Sequence, residues 1–425
     1  MTRAALLLAS LALLVLAPSP ARASSEVRYG VQDDAWLIYG PGSIDERVAK
    51  LRRLGVDVVR FQIRWDQVAR RRPRNGRNHR DRAYDWRLVD PVVRGLRRAR
   101  TDTVITLVGT PAWANGGRRY NWAPSSGRSF GNFVAAISRR YPWVDKWTIW
   151  NEPNQRDWLR PTTARTYVER LLNPAYAELH RVRRRVRVAG GMSAPRAGSG
   201  GVSPVGWVRG LRAAGARLDA YAHHPYPLRP RIETPWRGGC RRCATITMAE
   251  LDRLLREVRR SFGRTRIWLT EYGYQTNPPD RFLGVPPRMH ARYLASAARR
   301  AYLAPRVDML INFMVRDDPA PSGWQSGFFT ASGRAKLAYR AFRIPVTVAA
   351  RKKRTIRLWG QIRPRSGRRL YRLERFERGR WRRFGGVGRT DRRGFFRITV
   401  GLRRKLVVRV WSPGDRAGSV ALRLG

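Results

Sequence analysis

Short apolar runs of β type recur along the chain at a regular interval. Each is followed by a stretch in which apolar side chains return every three or four positions. The runs stand at residues 27–31, 56–63, 103–108, 146–150, 186–189, 218–222, 266–270 and 307–312. Between them the helical period is plain in Ile44, Val48, Leu51 and Leu54 before Gly55, in Leu88, Val92, Val93 and Leu96, and in Phe130, Phe133, Val134 and Ile137. It continues over 166–179, 205–211, 248–258 and 289–303. A strand covered on both faces reads as a continuous apolar run, whereas a helix lying on a sheet shows one apolar stripe. Strand–helix units repeated eight times at ~40-residue steps predict an α/β fold, a (β/α)8 (TIM) barrel, over residues 24–345. The alternative is an open doubly wound sheet. The count of eight and the lack of a Gly-rich phosphate turn weigh against it.

After Ile344-Pro345 the period changes to two. Strand patterns at 355–360, 369–374, 381–387, 394–400, 406–410 and 419–424 are separated by Gly-rich turns with no helical stretch between them. This predicts a small all-β sandwich over residues 346–425. The segment holds 25 Lys and Arg against 4 Asp and Glu, a denser positive charge than the rest of the chain. A substrate- or wall-binding accessory and a passive spacer both fit it.

Residues 1–23 have the form of a signal peptide. Arg3 supplies the positive start, residues 4–17 the apolar centre and Ala21-Arg22-Ala23 the small-residue cleavage site. The apolar run is shorter than the ~20 residues of a membrane span. The mature protein is therefore expected to be secreted or associated with the cell surface, without a transmembrane segment, and monomeric.

The two cysteines, Cys240 and Cys243, are separated by two arginines. A tight disulfide, a redox dithiol and half a zinc site all have this spacing. An exported protein without a second Cys pair favours the disulfide. Neither a metal nor another cofactor is expected. The formal charge of +57 would ordinarily suggest a nucleic-acid partner, yet only six of the 87 basic residues are Lys and the arginines are spread over every region. That skew matches the codon bias of a GC-rich genome. The competing reading is affinity for anionic cell-wall or extracellular polymers, which salt would weaken.

Barrel active sites form where the strands end and their loops begin. The second strand ends near Arg60 and Trp65, and the third at Thr110-Pro-Ala-Trp113. The fourth ends at Asn151-Glu152, the sixth at His223-His224-Pro-Tyr226, the seventh at Glu271, and the eighth leads toward Trp324. Two carboxylates on one rim can flank a scissile glycosidic bond, amides and guanidinium groups bind hydroxyls, and indoles stack on sugar rings. Sixteen tryptophans suit such a surface, although most belong to packing.

Trp150-Asn-Glu-Pro-Asn154 on strand four with Thr270-Glu-Tyr-Gly273 on strand seven resembles clan A of the glycoside hydrolases. The Thr110-Pro-Ala-Trp113 turn and His224-Pro-Tyr226 are most similar to exported bacterial members near families 39 and 5. The resemblance implies a retaining hydrolase of O-glycosidic bonds, acting on a poly- or oligosaccharide. Glu152 would be the acid/base and Glu271 the nucleophile. Asn151 would bind the sugar 2-hydroxyl, Arg60 would keep Glu271 ionised, and His224 or Tyr226 would orient it. Trp113 and Trp324 are further candidates for sugar contact. The Trp that the clan carries at the end of strand eight is missing from Ile311-Asn-Phe-Met-Val315, leaving Phe313 or Trp324 to replace it. The 346–425 segment is similar to immunoglobulin-like modules of exported bacterial proteins. Two other functions remain: a non-catalytic, polyanion-binding barrel, and a transglycosylating one.

Overall fold

The computed structural model describes residues 24, 26–239, 243–364, 367–402 and 405–425. The expected signal peptide and Cys240, one half of the expected disulfide, lie outside the described residues. Cys243 is not a free thiol.

Eight parallel strands close into a barrel in sequence order. They are β1 Arg28–Gln32, β2 Val58–Arg64, β3 Asp102–Val108, β4 Lys146–Ile149, β5 Arg187–Ser193, β6 Ala220–His223, β7 Arg266–Tyr272 and β8 Val307–Phe313. Pairing of Tyr29 with Leu310 and of Val31 with Asn312 joins the first strand to the last, so the open-sheet alternative is ruled out. Helices cover the outside. Ile44–Leu54 shows how local chemistry sets their ends. Ser43 and Glu46 form a reciprocal capping box, and Gly55 closes the helix with φ of 87°, a left-handed conformation that costs glycine least. The expected helix over 166–179 is instead two pieces, Ala164–Tyr167 and Asn173–Val182, joined by a wide π turn at Val168–Leu172. Pro174 at the start of the second piece has no N–H for a continuous ladder.

Inside the barrel, the two-residue strand period stacks side chains in layers. Val58, Val104, Ala189, Ala220, Trp268 and Met309 belong to one apolar cluster. Two residues further along their strands, Arg60 and Thr106 point the same way and are fully buried. The interior therefore turns polar toward the mouth.

The C-terminal segment forms two antiparallel sheets. One comprises β9 Val346–Lys352, β10 Thr355–Gln361 and β13 Phe395–Gly401. The other comprises β11 Leu370–Glu377, β12 Arg380–Arg389, β14 Leu406–Ser412, β15 Ala417–Gly418 and β16 Leu422–Leu424. Ile356, Leu358, Phe396 and Val400 from the first sheet pack against Leu373, Val408 and Val410 from the second, which makes a sandwich. Two details differ from the sequence expectation. β9 is an additional strand, and residues 419–424 contribute only the short β16. The three-stranded sheet faces the barrel: Tyr302 of the barrel packs on Trp359 at 5.3 Å and on Phe395 at 4.6 Å. The buried guanidinium of Arg363 lies 3.7 Å from the Tyr29 ring centre and donates to the carbonyl of Phe342.

Candidate active site at the barrel mouth

The arginine at position 60 organises the mouth. Its Nη1 donates to Glu271 Oε1 at 2.5 Å, its Nη2 to Asn151 Oδ1 at 2.9 Å and its Nε to Thr106 Oγ1 at 2.8 Å, and it also bonds the side chain of Gln32. Thr106 is tied in turn to Thr148 at 2.6 Å. One cation on β2 thus reaches β1, β3, β7 and the turn after β4. Its five donors in a planar fork permit this, where a Lys ammonium would not match the geometry.

Each glutamate is delivered by a local irregularity. In β7 the pairing with β8 slips between Leu269 and Tyr272, and this extra residue turns Glu271 into the mouth. At the end of β4, Trp150 has φ of 70° and Glu152 φ of 38°, values that non-glycine residues adopt at a cost of about 1–3 kcal/mol each. Packing holds this turn: the Trp150 indole donates to the carbonyl of Trp158 at 2.7 Å. Asn154 bonds both the carbonyl of Val202 and the N–H of Ala194.

His224 stands between the carboxylates. Its Nδ1 lies 3.0 Å from Glu152 Oε1 and 3.6 Å from Glu271 Oε2. Tyr226 donates its hydroxyl to Glu271 Oε2 at 3.1 Å. Burial pushes the Glu271 carboxyl upward, but His224, Arg60 and the hydrogen bonds from Arg60 and Tyr226 outweigh it and leave the group below the usual carboxylate value. Tyr226 is driven well above its ordinary value by burial and by the two nearby carboxylates, so it stays a donor.

The sequence candidates therefore separate. Glu152, Glu271, Arg60, Asn151, His224 and Tyr226 meet. Trp324 joins them at the rim, 5.3 Å from the Tyr226 ring and edge-on to Phe313 at 5.2 Å, so the two residues named for the missing strand-eight Trp stand together. His224, expected beside Glu271, is closer to Glu152. Trp113 stands apart: its indole donates to the Ala69 carbonyl and meets Trp65 edge-on, as part of an aromatic packing cluster with Phe130 and Phe133. His223 is a satisfied core residue. It bonds Ser193 and the Ile246 carbonyl, and burial lowers its pKa to about 3.

Three groups at the end of β1 were not expected. Gln32 links Arg60 to Asp34, Asp34 accepts from the Gln62 N–H at 2.7 Å, and Asp33 accepts from the N–H groups of Val315 and Arg316. Burial raises both aspartates to about 6. Val31-Gln-Asp-Asp34 is a strand end like the others, so the same survey of strand ends points to it. Among the described residues, no group of three or more His, Cys, Asp or Glu is arranged to hold a metal ion, and no helix is long and apolar enough to cross a membrane.

No protein-family model and no curated protein matches the chain. Solved structures do. A family 39 glycoside hydrolase from the gut symbiont Bacteroides cellulosilyticus aligns over 90% of this chain and 82% of its own, with TM-score 0.58 and 15% identity. A GH5_18 protein from Bifidobacterium longum subsp. infantis aligns over 74% and 77%, with TM-score 0.52 and 16% identity. Bacteroides uniformis beta-glucuronidase 2 aligns over 95% of this chain but 45% of its own, with TM-score 0.51 and 12% identity. At these identities the likeness is one of fold: the chain has the barrel architecture found in clan A glycoside hydrolases.

Proposed function

We propose that this protein is a retaining β-glycoside hydrolase acting on a polysaccharide or oligosaccharide. The observation that carries the reading is the pair Glu152 and Glu271, at the mouth ends of β4 and β7 with His224 Nδ1 between them. The facing carboxylate oxygens can be no further apart than the sum of those two distances. That bound accommodates the ~5–5.5 Å of a retaining pair.

In the first step a Glu271 oxygen attacks the anomeric carbon while Glu152 gives its proton to the departing oxygen. This forms a glycosyl ester on Glu271. In the second, Glu152 takes a proton from water, and that water displaces Glu271 with a second inversion. The lowered Glu271 suits a nucleophile that must be ionised. Asn151, its carbonyl oxygen held by Arg60, keeps its amide N–H groups for a sugar hydroxyl. Tyr226 and Trp324 offer a ring surface beside the nucleophile. The signal-like residues 1–23 support action outside the cell.

Glu271→Gly tests the reading. Turnover of aryl β-glycosides should vanish and return with azide, giving the α-glycosyl azide. A variant that hydrolyses like the parent sinks the assignment.

A further inference from the structure

We infer that the outer face of the five-stranded C-terminal sheet is a second carbohydrate site, separate from the barrel mouth, that takes a carboxylate-bearing polysaccharide. The inference does not depend on the glycosidase reading.

The three-stranded sheet is the one packed on the barrel, through Trp359 and Phe395. The five-stranded sheet therefore turns its outer face away. Leu373, Val408 and Val410 point into the sandwich. Strand alternation places their neighbours on the opposite face: Glu374, which pairs with Arg383 and Arg409, and Phe376, which pairs with Trp381. Trp411, two residues beyond Arg409 on β14, shares that face.

These residues form one continuous ladder across β12, β11 and β14. Phe376 packs on Trp381 at 5.2 Å. The Arg409 guanidinium lies 4.4 Å from the Trp381 ring centre and 5.0 Å from that of Trp411. Glu374, only 2% exposed, sits beneath and accepts from Arg409 Nε at 2.7 Å and Arg372 Nε at 2.8 Å. The buried acid holds both guanidinium groups, so the rings and the charges are positioned before any ligand arrives. Phe376, although it packs on Trp381, is still 47% exposed, an unusual position for a phenylalanine.

Charge selects the occupant. Arg383 and Arg423 on the same face make no ion pair among the described residues, and the whole 346–425 segment carries 25 basic against 4 acidic residues. A neutral glycan would use the rings alone, and a ligand without rings would use the charges alone. A polyuronide uses both, stacking pyranose faces on the indoles while its carboxylates meet the forked guanidinium groups.

The test is affinity electrophoresis of the full chain through gels containing polygalacturonate, dextran or poly-dT. Retardation by polygalacturonate that fades with salt, and none by dextran, is expected. Trp381→Ala with Trp411→Ala removes no charge yet should weaken polygalacturonate binding roughly tenfold or more. Lys352→Gln with Lys353→Gln, at the distant turn between β9 and β10, removes two charges and should leave it nearly unchanged. Phe376→Ala repeats the test at an exposed ring, should the double Trp variant not fold. Unaltered binding in the ring variants, an equal loss in the lysine variant, or equally tight binding of poly-dT each overturns the inference.

Discussion

His224 Nδ1 lies within hydrogen-bonding distance of Glu152 Oε1, at 3.0 Å, and the same atom is 3.6 Å from Glu271 Oε2. A single ring nitrogen therefore faces both the proposed proton donor and the proposed nucleophile. Among the described residues its buried Nε2 has no hydrogen-bond partner, so the ring's polar contacts are those to the carboxylates.

Glu152→Gln keeps the shape of this contact and removes the transferable proton. Hydrolysis of glycosides with poor leaving groups should fall about 10²–10⁴-fold. Glycosides of strongly acidic phenols, which depart without protonation, should lose far less in the first step and accumulate glycosyl enzyme. Steady-state and burst kinetics with the two substrate types check this.

Tyr226→Phe preserves the ring beside Trp324 and deletes the hydroxyl that donates to Glu271. A hydrogen bond to a charged group contributes about 1.5–3 kcal/mol, so kcat/KM should drop roughly 10- to 100-fold. The Glu271 carboxyl would lose one of the contacts that hold it down. The acidic limb of the kcat/KM profile should therefore move to higher pH.

Arg60→Ala leaves Glu271 buried without its cation and should destabilise the fold by about 3–5 kcal/mol. Glu271 is lowered from 4.5 in the folded protein, so its stabilisation is complete above pH 4.5 and is lost as pH falls through the folded value. In Arg60→Ala that acid-side loss should shrink or reverse, which denaturant titrations across pH will reveal.

Asp34 carries the opposite sign. Burial raises it from 3.8 to about 6, so its stabilisation is complete below pH 3.8 and is lost as pH rises through about 6. Asp34→Asn cannot ionise and should flatten this part of the Tm–pH curve. The slope is the readout, because loss of an acceptor for Gln32 lowers Tm at every pH.

Much of this site can be read from the one-dimensional pattern, since strand ends in a barrel are set by where apolar runs stop. Glu152, Glu271 and Arg60 are legible for that reason. Thr106 and Thr148 are not, because a hydroxyl inside a strand gains meaning only when register places it under Arg60. Trp113 is the reverse case. An indole at a strand end suits sugar stacking, but the neighbouring Trp65, Phe130 and Phe133 claim it for the core. The turn that inverts φ at Trp150 and Glu152 leaves no sequence signal, because neither residue is glycine. The sandwich is legible from its period of two, except at β9, where the sequence moves from Val346 to exposed basic residues after only a few apolar positions.

The guanidinium of Arg60 binds side chains from both halves of the barrel: Gln32, Thr106 and Asn151 from the first four units, Glu271 from the seventh. A polypeptide cut between the fourth and fifth strands would divide this cluster between two fragments. Neither piece alone would own Glu271 with its counter-ion. On the proposed reading, turnover regained on mixing them would count reassembled barrels, since one side chain ties both halves of the site together.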